Sequence, residues 1–200
     1  MDFDGTIVDS NGIWVSIYKE YCASNSVQLS EEICKSFGCI PFADWIAKIK
    51  SFHNISLDNT SYLYDIHEVA VKLYCSLTPK HGFKRFVSSH KQDCIIIISK
   101  EDSSLISFYL QRKRIKNVHS IIQDKYNYRS SNQFYEDIAN KSGYRVNEIL
   151  LIDDSLAHCT TAKESGALVV GINDYHSIER QRQMRLVCDL YVNNFMEIEL

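Results

Sequence analysis

Short apolar runs alternate with helical segments from residue 94 onward, and this alternation constrains the fold more than any other feature of the sequence. The run from Cys94 to Ile98 is continuously apolar and ends at Ser99, as expected for a strand buried on both faces. Further strands are predicted at residues 118–122, 149–152, 168–172 and, more weakly, 187–192. Helical patterns separate them at residues 103–114, 131–142 and 155–165. The alternation predicts an α/β protein with a doubly wound parallel sheet.

Polar residues follow two of these apolar runs at the point where each run ends. Ser99 follows the first run, and Asp153 and Asp154 follow the run at residues 149–152. In a doubly wound sheet, ligands bind beyond the carboxyl ends of the strands. We therefore expect these three side chains to converge in one crevice.

The residues before position 78 carry helical patterns and no strand signal. Apolar residues spaced along one helical face predict a helix around residues 14–21 and another around residues 62–73. Shorter helices are predicted between Ser30 and Gly38 and from Pro41 onward.

Charge and cysteine usage exclude several classes of protein. The net charge of −3 gives no basic surface for nucleic acid, and no apolar run approaches the roughly 20 residues of a membrane span. The seven cysteines are odd in number and form no Cys-x-x-Cys pair, which favours reduced thiols over a disulfide framework or a zinc site. We expect a cytoplasmic protein without nucleic-acid or membrane partners.

Two aspartates separated by one residue open the chain, in the string DFDGT at residues 2–6. On extended backbone, side chains two positions apart lie on the same side. Such a pair suits binding of a hard cation such as Mg²⁺, and an aspartate can also attack phosphorus covalently. Gly5 allows a sharp turn directly after the pair. The alternative interpretation is a solvated acidic N-terminus without chemistry.

Three segments together resemble the haloacid dehalogenase superfamily, in particular its branch of phosphoglycolate phosphatases and β-phosphoglucomutases. The string DFDGTIVDS resembles the first motif of that superfamily, CIIIISK the second, and ILLIDDSLAHCTTAKESGA the fourth. The stretch LTPKHGFKRFV at residues 77–87 is similar to the segment that leads from the cap back to the core. The resemblance implies a Rossmann-like catalytic core of residues 1–10 and 79–200, with a helical cap inserted at residues 11–78.

The resemblance also implies a role for each matching residue. Asp2 matches the nucleophile, and Asp4 matches the general acid/base, whose backbone carbonyl also binds Mg²⁺ in the superfamily. Ser99 matches the hydroxyl that holds a phosphate oxygen. Asp154 and Asp153 match acidic ligands of the Mg²⁺ ion. The implied partner is a small phosphorylated metabolite.

An aspartate at position 4 favours phosphatase or phosphomutase chemistry, since the dehalogenases and transport ATPases of the superfamily carry other residues there. The implied activity is Mg²⁺-dependent hydrolysis of small-molecule phosphate monoesters through an aspartyl-phosphate intermediate. Two alternatives stay open. One is a phosphomutase of the β-phosphoglucomutase type, and the other is a catalytically inactive, truncated relative.

The sequence departs from the superfamily pattern at the third motif, which normally supplies a cation that pairs with the nucleophile and the phosphate. Counting back from Asp154 without a gap reaches Arg129, whereas an insertion of four residues would match Lys125 instead. We favour Arg129 because the helix at residues 131–142, Gly143 and the spacing to Asp154 then all align with the superfamily pattern without a gap. Arginine can also grip phosphate through two hydrogen bonds. His158 is either a residue of the site or a partly buried helix residue.

A second departure concerns the strand that leads into the nucleophile. In the superfamily, about five apolar residues form this strand at the centre of the sheet. Here only Met1 precedes Asp2. We therefore expect that the first core strand is truncated and that part of the N-terminus is lacking, which would leave strand edges unpaired.

Overall fold

The computed structural model describes residues 1–10, 12–24, 59–174 and 178–199. It divides into two compact units, one formed by Met1–Asp9 with Thr78–Leu200 and the other by Ser10–Leu77. These limits lie one residue from those expected for the core and the helical insertion.

The described residues of the smaller unit form two helices that pack against each other, α1 (Ile13–Ser24) and α2 (Asn59–Ser76). Each helix buries one face, as its apolar spacing predicts. The buried side chains include Ile17, Tyr18 and Tyr21 on α1, and Ile66, Ala70 and Tyr74 on α2. The two shorter helices predicted after Ser30 and Pro41 lie outside the described residues.

The larger unit contains five strands and five α-helices among its described residues. The helices are α3 (Phe83–Ser89), α4 (Ser103–Arg112), α5 (Asn132–Ser142), α6 (Leu156–Glu164) and α7 (Ile178–Val187). The strands are β1 (Ile96–Ser99), β2 (Ser120–Gln123), β3 (Leu150–Asp153), β4 (Leu168–Ile172) and β5 (Leu190–Val192). Helix α5 ends at Gly143, which takes the left-handed conformation predicted for it (φ 76°).

All strand pairs in the larger unit are parallel. Strand β1 pairs with β2, and β3, β4 and β5 form a second sheet in that order. This arrangement confirms the predicted α/β class with parallel strands. The predicted strand at residues 187–192 is shorter than expected, because Val187 is the last residue of α7.

Met1 and Asp2 lie between the two sheets and bridge them through the backbone. The amino group of Met1 donates to Ile96 O at 2.7 Å, and Ile98 N donates to Met1 O at 2.9 Å. On the other side, Asp2 N donates to Ile152 O at 3.0 Å. The first two residues of the chain therefore pair with β1 and β3 at once.

A cavity of about 520 Å³ opens beside Met1, between β1 and β3. Its walls are mainly apolar and include Ile96, Ile98, Phe134, Ile138, Leu150 and Ile152. It lies on the amino-terminal side of the strand ends that carry Ser99 and Asp153.

Burial also lowers the pKa of the Met1 amine to about 6, because the charged form loses its hydration there.

No helix in the described part of the chain combines the length and the apolar character that crossing a membrane requires. The cysteines at positions 22, 75, 94, 159 and 188 are free thiols.

An apolar extension placed ahead of Met1 is expected to fill the cavity and stabilise the larger unit. About five alternating Val and Ile residues would pair with β1 and β3 and turn the buried amine into an uncharged amide donor, raising Tm by on the order of 5 °C. The measurement is thermal unfolding followed by circular dichroism. A Gly/Ser extension of equal length is the control, and equal Tm values for both extensions would show that the cavity does not accept a strand.

Candidate active site

The residues predicted from the strand ends do converge. Ser99 ends β1, Asp153 ends β3, and Asp154 follows directly. Carboxylate oxygens of Asp2, Asp153 and Asp154 all lie within 4.8 Å of one another. The Ser99 hydroxyl donates to Asp4 Oδ2 at 3.5 Å, so Asp4 lies at the same edge of the sheets.

Local packing explains how the first motif presents its two carboxylates. The Phe3 ring between them is fully buried and packs edge-on against Tyr109, with ring centroids 5.3 Å apart. The chain then folds back, with the amides of Ile7 and Val8 both donating to Phe3 O, at 2.8 and 3.1 Å. Anchoring of Phe3 in the core leaves the aspartates on either side of it in the site.

Gly5 is required at the turn that follows Asp4. Its φ of +72° lies in the left-handed region. A Cβ atom at this position would stand 2.6 Å from Asp154 Oδ2, closer than packed atoms allow. Any other residue would therefore push the turn away from Asp154, whose Oδ1 also accepts a hydrogen bond from the Thr6 hydroxyl at 3.2 Å.

Arg129 is the cation of the site. It is buried, and its Nη1 forms an ion pair with Asp2, lies 3.4 Å from Asp153 Oδ2 and donates to Ile98 O at 3.1 Å. Lys125 is exposed. The geometry thus agrees with the ungapped alignment of the third motif, which favours Arg129.

Asp124 is a buried residue of the site that sequence reasoning missed. It accepts hydrogen bonds from Tyr128 N at 2.6 Å and from Arg129 N at 3.2 Å, and its Oδ2 lies 3.6 Å from Arg129 Nε. Its own amide donates to Ser99 O at 2.7 Å. Asp124 therefore ties the turn that carries Arg129 to the end of β1. The available signal was an aspartate two residues after the strand predicted at residues 118–122, a position typical of side-chain-capped turns.

His158 is buried on α6 and contacts the site directly. Its Nδ1 lies 3.3 Å from Asp153 Oδ2, and its Nε2 lies 3.3 Å from Asn127 Oδ1. The sequence left open whether His158 is a residue of the site or a partly buried helix residue. It is a buried helix residue, and it also contacts Asp153, a predicted metal ligand.

The electrostatics of the site are set first by burial of its carboxylates and then by repulsion between them. Burial and the neighbouring Asp153 raise the pKa of Asp2, while Arg129 opposes the increase. Burial, then the charges of Asp153 and Asp174, raise the pKa of Asp154 to about 7. Burial opposes the charged form of Arg129, but Asp2 and Asp153 outweigh it and raise the Arg129 pKa.

The three clustered carboxylates have the chemistry of a site for a divalent cation. Asp2, Asp153 and Asp154 offer hard oxygen donors in one place, which is the donor type that Mg²⁺ prefers. Burial raises the pKa values of Asp2 and Asp154, and neighbouring negative charge, which a bound cation would offset, raises them further. Asp4 lies outside this trio of side chains; its expected contribution is through its backbone carbonyl.

A model of the haloacid dehalogenase-like hydrolase family matches residues 1–172 of the sequence. The chain belongs to this family. No curated protein sequence matches it. The matched range includes Arg129 and the five residues that converge at the strand ends: Asp2, Asp4, Ser99, Asp153 and Asp154.

Solved structures of haloacid dehalogenase-like proteins share the fold of the chain. A proposed β-phosphoglucomutase from Thermotoga maritima has a TM-score of 0.77 at 14% identity, covering 98% of this chain and 93% of that one. A proposed haloacid dehalogenase-like hydrolase from Bacillus subtilis, bound to magnesium, has a TM-score of 0.72 at 11% identity, with coverage of 98% and 93%. A predicted phosphoglycolate phosphatase from Haemophilus somnus has a TM-score of 0.69 at 14% identity, with coverage of 97% and 92%.

Removal of the Arg129 side chain is expected to destabilise the protein far more than removal of Lys125. Arg129→Ala leaves the buried carboxylates of Asp2 and Asp153 without their cation, at a cost of about 3–5 kcal/mol. Lys125→Ala changes an exposed side chain and should alter stability by less than about 0.5 kcal/mol. Urea unfolding measures both values. Similar losses for the two variants would contradict the placement of Arg129 in the site.

Proposed function

We propose that this family member hydrolyses phosphate monoesters of small molecules through an aspartyl-phosphate intermediate on Asp2, with Mg²⁺ as cofactor. The observation that carries the proposal is the buried ion pair of Asp2 with Arg129, set beside the carboxylates of Asp153 and Asp154 at the strand ends. This cluster would supply a nucleophilic carboxylate, a cation for the phosphate and acidic metal ligands in one place.

In the first step, a carboxylate oxygen of Asp2 attacks the phosphorus of the ester. The bond between phosphorus and the ester oxygen breaks, and Asp4 in its protonated form transfers its proton to the departing oxygen. The products are an alcohol and an acyl phosphate on Asp2. In the second step, Asp4 as a carboxylate takes a proton from water, which attacks phosphorus and releases inorganic phosphate from Asp2.

Arg129 and Ser99 are suited to hold the phosphate during both steps. The guanidinium lies against Asp2, so it would stabilise negative charge that develops on the phosphoryl oxygens. The Ser99 hydroxyl is 1% exposed and accepts a hydrogen bond from Glu101 N at 3.1 Å, which fixes its oxygen at the end of β1. The hydroxyl hydrogen, now directed toward Asp4, is available to a phosphate oxygen.

Asp2, Asp153 and Asp154, with the carbonyl of Asp4, would hold the Mg²⁺ ion. When bound, the ion offsets the repulsion between the anionic nucleophile and an anionic substrate. The magnesium bound to the Bacillus subtilis relative supports this choice of cation.

The smaller unit is proposed to act as the cap that selects the substrate, a small phosphorylated metabolite.

The free thiols at the described cysteines support a reducing, cytoplasmic location.

A panel of phosphorylated metabolites and p-nitrophenyl phosphate, assayed with Mg²⁺ for released phosphate, tests the proposal. Asp2→Asn removes the attacking carboxylate but keeps its shape, so turnover should fall by on the order of 10⁴-fold or more. Asp9→Asn changes an exposed aspartate of the same segment and should leave turnover unchanged. Undiminished activity in Asp2→Asn would overturn the mechanism.

The same panel separates hydrolysis from its rivals. A phosphomutase would move phosphate to another hydroxyl of a sugar phosphate without steady release of inorganic phosphate. An inactive relative would release none from any ester.

Mg²⁺ binding should be visible in stability without any turnover. A ligand at about 100 times its Kd stabilises the folded state by roughly 2.7 kcal/mol, so saturating Mg²⁺ should raise Tm by about 5 °C or more. Asp154→Asn should lose most of this shift, since it removes one charged ligand, whereas Asp137→Asn, at a partly exposed aspartate outside the cluster, should keep it. Differential scanning calorimetry with and without EDTA measures the shift, and an equal shift in both variants would place the cation elsewhere.

A further inference from the structure

Lys80 is a largely buried cation beside the candidate site, with a side chain that is 10% exposed. Its ammonium group donates to the carbonyl oxygen of Gly5, to Asn173 O at 2.6 Å and to Asp174 Oδ1 at 3.2 Å. An ammonium group has three hydrogens to donate. All three are engaged with the protein, which leaves none for a substrate.

The contacts of Lys80 hold the loop that follows Asp4 from two directions. Gly5, whose carbonyl accepts from the ammonium group, is the next residue after Asp4. The main chain of Lys80 also donates to Ile7 O at 2.7 Å, and the neighbouring Pro79 forms an antiparallel bridge with Val8. Side chain and backbone at position 80 therefore fix the same short loop.

The other two acceptors join this loop to the second sheet. Asn173 and Asp174 directly follow β4, the strand that pairs with β3. A Cβ atom on Gly5 would stand 2.8 Å from Asp174 Oδ2, so the loop packs closely against this carboxylate. Without the ammonium group, Asp174 would keep a largely buried charge without that ion pair, and the loop would be drawn toward water.

We propose that Lys80 is a positioning residue for Asp4: it fixes the Gly5 turn so that the Asp4 carboxylate stays at the point where it exchanges protons with the leaving oxygen. The assignment rests on the proposed function, in which Asp4 is the general acid. Displacement of a catalytic group by about 1 Å costs on the order of 10²-fold in rate. Lys80 acts through Asp4 and does not touch the reacting atoms.

A leaving-group comparison tests this role. An alkyl alkoxide must be protonated as it departs, whereas p-nitrophenolate departs without a proton. In Lys80→Met, kcat/KM for the best alkyl phosphate of the metabolite panel should fall by on the order of 10²-fold, and kcat/KM for p-nitrophenyl phosphate should change by less than about fivefold. Lys163→Met is the control, because Lys163 is a half-exposed lysine paired with Asp189 on the surface, and it should match the wild type with both esters.

The outcomes separate the assignment from the proposed function. A wild type inactive with every ester overturns both. An active wild type with equal losses on the two esters in Lys80→Met, or with no loss, overturns the role of Lys80 alone.

If Lys80→Met does not fold, the double variant Lys80→Met/Asp174→Asn removes the uncompensated charge, and the same selective loss is expected there. Failure of the double variant to fold, or equal losses in it, would assign Lys80 to stability and overturn the positioning role.

Discussion

The ion pair between Asp2 and Arg129 is the interaction on which the rest of the larger unit depends. Arg129 Nη1 reaches acceptors on three separate segments: Asp2 at the start of the chain, the carbonyl of Ile98 in β1 and Asp153 at the end of β3. Strands β1 and β3 belong to two sheets that share no strand among the described residues, and Asp2 lies between them. A buried guanidinium therefore works as a crosslink, and in the proposed function it would also bind phosphate; its rigid planar fork suits both tasks better than an ammonium group would.

Much of this arrangement could be predicted from the sequence, because the responsible signals are local. Continuous apolar runs mark β1, β3 and β4, and their ends place Ser99, Asp153 and Asp154 at one edge. Rules of strand and helix alternation then bring those ends together without knowledge of any contact. The choice of Arg129 over Lys125 followed from the resemblance to the superfamily, since the helix that became α5 and Gly143 keep the count from its third motif to Asp154 free of gaps.

The features that sequence reasoning missed depend on tertiary contacts. Helix α7 is strongly polar and buries only Met184 among its residues, so it carries no apolar period to detect. Asp124 and Lys80 look like ordinary solvated charges in the sequence. Asp124 is buried only because the turn after β2 folds over it, and Lys80 only because the loop after Asp4 does so. Charges of this kind are recognisable once their partners are known, and the partners are more than 70 residues away for Lys80.

The cavity and the candidate site lie along the same two strands, and this links stability to catalysis. Strands β1 and β3 contribute their ends to the site and residues such as Ile96 and Leu150 to the cavity wall. Met1 and Asp2 lie at the junction, where three backbone hydrogen bonds hold the proposed nucleophile. Attack on phosphorus requires reacting atoms to be placed within a fraction of an ångström. Loosening of the strands around the cavity would therefore disturb Asp2, and Arg129 opposes it because it binds the Asp2 carboxylate and both strands at the same time.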